Sequence, residues 1–216
     1  MNIAELQKAI GTAPDGKWGP ASRAALLDHF TNKSAPAITP GQEQVIADRL
    51  SVSLRQLRAV AQVESSGSGF DNQGRPKILF ERHYFHRLTN GKWSPTIFSD
   101  AKAGGYGDDS WNKLLAAAGR DPDAAFASCS WGQFQVMGAH WKALGYASPF
   151  ALAASTVKDQ AGHYELLARF IERNNLKGAM AAISTDPEDC RAFARAYNGP
   201  AYAKGRYHEK LARAMK

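Results

Sequence analysis

Along most of the chain, apolar positions recur at the spacing of a helix face, and each run stops at a residue that ends helices. In "IAELQKAIG", Ile3, Leu6 and Ile10 share one face, and Gly11 closes the run because glycine accepts the left-handed conformation of a helix C-terminus. Pro20 opens a second helix carrying Ala24, Leu27 and Phe30. Thr39, followed by Pro40 and Gln42, reads as an N-cap, and Ser53 with Gln56 matches a capping box. Leu54, Leu57, Val60 and Ala61 then form an apolar stripe that ends on Glu64, seven residues after Leu57. Further helices are predicted near 81–89, 110–118, 122–128, 149–173, 176–184, 187–197 and 202–215.

The middle of the chain breaks this pattern. "DNQGRPKILFERH" and "SDAKAGGYGDDSW" are glycine-rich and irregular, while "SCSWGQFQVMG" alternates like a short hairpin or bulged strand. Irregular stretches of that length inside a folded domain usually carry function. A run rich in Ser, Ala, Thr and Pro separates the first two helices from the rest. The expected division is therefore a small helical module at 1–33, a linker at 34–41 and a larger domain at 42–216. No internal repeat is present.

Composition narrows the partners more than the fold. Of 216 residues 44% are hydrophobic, enough for one substantial core. An excess of 27 Lys and Arg over 20 Asp and Glu gives a formal charge of +7, which favours a polyanion: nucleic acid, an anionic membrane surface or a cell-wall polymer. The basic residues are scattered, with no basic helix or stacking motif of a nucleic-acid reader. No stretch has the length and apolarity of a membrane span, and the N-terminus lacks the basic and apolar regions of a signal peptide. The protein is thus expected in the cytoplasm, with any export depending on another factor. Cys129 and Cys190 do not make a disulfide scaffold; they read as small buried residues, with a single bridge as the alternative. Neither a metal site nor an organic cofactor is indicated.

The chemistry concentrates on carboxylates. A glutamate at the edge of an apolar stripe is partly desolvated, which raises its pKa and suits it to donate a proton near neutral pH. Glycoside hydrolysis needs such a donor for the leaving sugar oxygen; the plainer reading of Glu64 is a solvated helix end. Glu81, in "ILFERH", repeats the pattern and is a second candidate, against an ion pair with Arg82 or another cation. Asp108 and Asp109 offer either a base on a loop or caps for the helix beginning near Ser110. Trp131, Gln133, Phe134 and Gln135, and then Tyr197, Asn198 and Tyr202, supply aromatic faces and amides of the kind that hold saccharides, although for any one of the aromatics burial in the core is the better reading.

"VESSGSGF", "SWGQFQVMG" and "RAYNGPAY" together resemble the goose-type lysozyme and lytic transglycosylase superfamily. "GRPKILFERHYF", "GGY", "SCSWGQFQVMG" and "YNGPAY" are more narrowly similar to the N-acetylmuramidase domain of bacteriophage endolysins, over about residues 42–215. The resemblance implies a mainly α, lysozyme-like helical domain with a small β-hairpin. It also implies Glu64 as general acid, Glu81 as a second active-site carboxylate, and a sugar cleft lined by Gln133, Gln135, Tyr197, Asn198, Trp131 and Tyr106. "LQKAIG" and "DGKWGPASRAAL" are similar to small helical peptidoglycan-binding modules, which implies wall-binding roles for Asp15, Trp18 and Gly19.

The implied function is a monomeric endolysin that cleaves the β-1,4 bond between N-acetylmuramic acid and N-acetylglucosamine. It would wait in the host cytoplasm until another factor releases it to the wall. Alternatives are a lytic transglycosylase giving anhydro products, a non-catalytic wall-binding protein, and, on charge alone, a nucleic-acid binder. The basic C-terminal helix makes an anionic outer-membrane surface a candidate second partner, although Tyr207, Leu211 and Ala214 also give it a face for ordinary packing.

Overall fold

The computed structural model describes residues 1–65, 67–93 and 109–216. Among them the helices follow in the order α1 (Ile3–Ala9), α2 (Pro20–His29), α3 (Pro40–Leu50), α4 (Leu54–Glu64), α5 (Arg82–Leu88), α6 (Ser110–Ala118), α7 (Pro122–Ala127), α8 (Pro149–Ala154), α9 (Gln160–Arg173), α10 (Lys177–Ala181), α11 (Pro187–Asn198) and α12 (Tyr207–Ala214). Three short strands, β1 (Ile78–Phe80), β2 (Cys129–Trp131) and β3 (Val136–Met137), form one antiparallel sheet in that order. Ile78 pairs with Trp131, and Trp131 with Val136. The mainly helical fold with a small hairpin is as the sequence predicts; β1 is an addition, three residues too short to show a period of its own.

The caps explain where the helices start. Asn2, Thr39 and Ser53 each close a reciprocal capping box with Glu5, Gln42 and Gln56, worth about 1 kcal/mol apiece. Two predicted helices are corrected, and the one at 202–215 is a short 3-10 turn at Pro200–Ala203 followed by α12 from Tyr207. The predicted helix at 149–173 is two helices, because the Ser155 and Thr156 hydroxyls donate back to the carbonyls of Leu152 and Ala153, and Asp159 then caps a new start by accepting from Gly162 N–H.

The described chain divides into two units, Met1–Ala35 with Phe70–Lys158, and Pro36–Gly69 with Asp159–Lys216. In the first, Phe30 from the end of α2 is fully buried and meets Trp111, Phe126, Trp131 and Phe150 at ring-centroid distances of 5.5 to 5.9 Å. The Trp18 indole N–H donates to the Leu115 carbonyl at 2.7 Å. A Cβ at Gly119 would lie 2.3 Å from the Trp18 ring, so only glycine lets α6 approach this closely. The N-terminal helix pair thus shares a core with α6 and α7 instead of forming the separate module drawn at 1–33. Two short helices bury too little alone, and Phe30 supplies what they lack.

In the second unit α3 packs on α9, and α12 packs on both α4 and α11. Leu50, Leu57, Val60, Leu166, Leu167, Phe193 and Leu211 are all fully buried or nearly so. An ion-pair cluster of Arg49 with Glu165 and Glu172, joined by Lys177, ties α3 to α9 and α10 on the outside. Cys129 and Cys190 are both free and buried, one in each unit.

Candidate active site

Glu64 is the last residue of α4, whose buried positions Leu57, Val60 and Ala61 place its carboxyl against apolar surroundings. The helix stops there because Ser65 turns to an extended backbone, with its hydroxyl returning to the Ala61 carbonyl. Burial pushes the Glu64 carboxyl up to about 7 from its ordinary 4.5, against the opposing effects of a hydrogen bond from Asn198 and the charge of Lys210. The negative end of the α4 dipole acts in the same direction as burial. Near neutral pH this carboxyl is therefore part protonated, the state a general acid needs.

Asn198 Nδ2 donates to Glu64 Oε1 at 2.9 Å. Asn198 is the last residue of α11, and the helix ends on it because Gly199 takes φ +76°, ψ −175°, a conformation open essentially to glycine alone. Beside it Tyr197 stacks on Phe193 (5.5 Å) and meets Phe170 edge-on (5.4 Å). Burial, and then the charge of Glu64, raise its phenol well above the usual range, so it stays a neutral O–H. "YNGP" thus carries one side of the Glu64 environment.

The other candidate residues divide by their surroundings. Glu81 is the N-cap of α5, and its backbone N–H donates to the Ser128 carbonyl. Its carboxylate lies 3.4 Å from His83 Nδ1, a partner that sequence reading did not single out because the pair is only two residues apart. Gln133 is buried. Gln135 takes φ +50°, and its amide is occupied within the hairpin, accepting from the Ser130 hydroxyl at 2.7 Å and donating to the Gly132 carbonyl at 2.7 Å. Trp131 departs from expectation: it is wholly buried, with its indole N–H on the Phe126 carbonyl, and so fills the core instead of offering a face to sugar. Asp109 caps α6 by accepting from Trp111 N–H, the second of its two expected roles. Tyr106 and Asp108 lie outside the described residues.

In the N-terminal pair, Asp15 Oδ1 accepts from buried Gln7 at 2.8 Å and from Lys17 N–H at 2.9 Å, Trp18 is docked on α6, and Gly19 is the N-cap of α2. All three residues shape the turn and its seat. No group of His, Cys, Asp and Glu able to hold a metal occurs among the described residues.

The family of N-acetylmuramidases, by its sequence profile, matches residues 53–216, from the cap of α4 to the end of the chain. The chain belongs to the N-acetylmuramidase family. This muramidase is similar in structure to the endolysin of Burkholderia phage AP3, with a TM-score of 0.76 and 30% identity over 99% of this chain and 93% of that one. No curated protein sequence matches it. Its small sheet set among helices is a lysozyme-like fold, and it is a glycoside hydrolase of the lysozyme type with peptidoglycan as substrate. The signal for Glu64 in the sequence was the break from an apolar stripe into "SSGSG". Lys210 carried no such signal, since it is one of several basic residues in the final helix.

Proposed function

We propose that the chain is a phage endolysin whose Glu64 protonates the bridging oxygen of the β-1,4 bond between N-acetylmuramic acid and N-acetylglucosamine, causing host lysis. The observation that carries this reading is a carboxyl at the end of α4, raised to about 7 by burial and held by Asn198. A proton kept to neutral pH can pass to the leaving oxygen as oxocarbenium character develops on the muramic acid ring. Asn198, donating to one carboxylate oxygen, fixes the rotamer and leaves the other oxygen for the substrate. The likeness to a phage endolysin supports the biological role.

Glu81 is proposed as the second active-site carboxylate, on the resemblance carried by "LFERH" and on its half-buried place beside His83. Gln133, Tyr197 and Asn198 are proposed to line the sugar cleft. Water as the attacking group makes the reaction a hydrolysis. The enzyme is proposed to act as a monomer and to remain in the host cytoplasm until another factor opens a route to the wall.

Mass spectrometry of fragments released from purified peptidoglycan tests the reading. Wild type is expected to release fragments ending in reducing muramic acid, and Glu64→Gln to release about 10²–10⁴-fold less at equal fold content. Fragments one water lighter would identify a transglycosylase instead, and full activity in Glu64→Gln would remove Glu64 from the mechanism.

A further inference from the structure

Of the two tyrosines in "AYNGPAY", Tyr197 lies beside Glu64, and Tyr202 has no part in the proposed chemistry. Tyr202 sits in the Pro200–Ala203 turn that follows α11. Its hydroxyl accepts from Arg191 Nη1 at 3.3 Å, and its ring meets that of His208, near the start of α12, at a centroid distance of 5.5 Å and an angle of 77°. Arg191 is seven residues before Asn198, two turns back along α11. To reach it, the chain doubles back along the helix immediately after Asn198. The bend is at Gly199, with φ +76° and ψ −175°, and the Tyr202 N–H closes it by donating to the Gly199 carbonyl at 3.1 Å.

Both anchors of Tyr202 are themselves fixed. Arg191 is held by Glu188, one turn earlier on α11, through two hydrogen bonds of 2.6 and 2.7 Å. His208 is buried, on the helix that packs on both α4 and α11. Asn198 needs such support, because it is the last residue of α11, where a helix frays, and a glycine follows it. A displacement of about 0.7 Å, from 2.9 to 3.6 Å, would carry its amide out of hydrogen-bond reach of Glu64. Upstream, Tyr197 is seated on Phe193 and Phe170. Downstream, the seat is Tyr202.

We infer that Tyr202 is a positioning residue for Glu64: by clamping the turn after α11 onto Arg191 and His208, it holds Asn198 where its amide meets the carboxyl. Releasing the clamp frees the end of α11 and withdraws the hydrogen bond without touching either partner. The consequence for rate rests on Glu64 being the acid; the consequence for its titration rests on the fold alone.

The test is the titration of the Glu64 side-chain carboxyl by carbon-13 NMR in the full-length protein, with kcat and KM against pH alongside. The Asn198 bond favours the ionised carboxyl, so Tyr202→Ala is expected to raise the midpoint. The size is roughly 0.5 pH unit, about half the effect of one hydrogen bond to a charged group. In an Asn198→Ala background the same substitution should move the midpoint no further, because the amide through which it acts is gone. Tyr202→Phe keeps the ring on His208 and loses only the Arg191 bond, so it should displace the midpoint in the same sense by less; it carries the test if Tyr202→Ala does not fold. No charged group of α4, α11 or α12 changes in these variants. An unmoved midpoint in Tyr202→Ala, or in Tyr202→Phe where that alone folds, would overturn the inference, as would an equal displacement with and without Asn198. A loss confined to KM with the midpoint unmoved would make Tyr202 a sugar contact instead. Because the titration needs no substrate, it decides the role of Tyr202 even if Glu64→Gln proves active.

Discussion

At Glu64 the needs of the proposed catalysis and of folding are opposed. A carboxyl that titrates at about 7 when folded and near 4.5 when unfolded is protonated in both states below pH 4.5, where it costs nothing. As pH rises through that window the unfolded chain ionises first, and stability falls until the folded group ionises too. The full cost is roughly 3 kcal/mol above pH 7. Glu64→Gln is therefore expected to raise Tm at pH 8 by roughly 5–10 °C and to leave it nearly unchanged at pH 4, as calorimetry at the two pH values would read. An equal gain at both would assign the effect to packing. Asn198→Ala removes a hydrogen bond that favours the carboxylate, so the alkaline limb of kcat/KM should move up. At this scale the sequence was informative where a residue broke a pattern. Glu64 interrupts an apolar stripe and is legible; Trp131 lies within a motif that suits both sugar binding and core packing, and only its burial separates the two.

Element boundaries were legible where side chains cap them. The boxes at Thr39 and Ser53 lie in the sequence as the structure has them, because capping is a local interaction between residues three apart. The break between α8 and α9 was not, since Ser155 and Thr156 end α8 by bonding to their own preceding turn, an option these residues have in any helix and seldom use to stop one. The N-terminal helix pair was misjudged for a different reason: its turn matches a wall-binding motif, but Phe30 and Trp18 reach partners more than eighty residues away in sequence. Phe30→Ala should thus cost about 3–5 kcal/mol, and Gly119→Ala about 1–3 kcal/mol by forcing the Trp18 ring aside. Urea unfolding would measure both; losses below 0.5 kcal/mol would mean that the pair is only loosely seated.

For the whole molecule, the family and the fold class were readable from ordered motifs, whereas the division into units was not, because each unit is assembled from two separate stretches of chain. Removing residues 1–35 takes Leu6, Leu26 and Phe30 out of a shared core. The truncated protein is expected to lose its near-ultraviolet circular dichroism and to be cut rapidly by protease within 70–158, where a detachable module would leave both unchanged. The same division also puts the enzyme on a clock. Glu64 and Asn198 are 134 residues apart, so at 5–20 residues per second a ribosome makes the proposed acid roughly 7–27 s before the amide that holds it. Any chain released before Asn198 is made carries a Glu64 without its amide partner, and the chemistry proposed for that carboxyl is withheld from it.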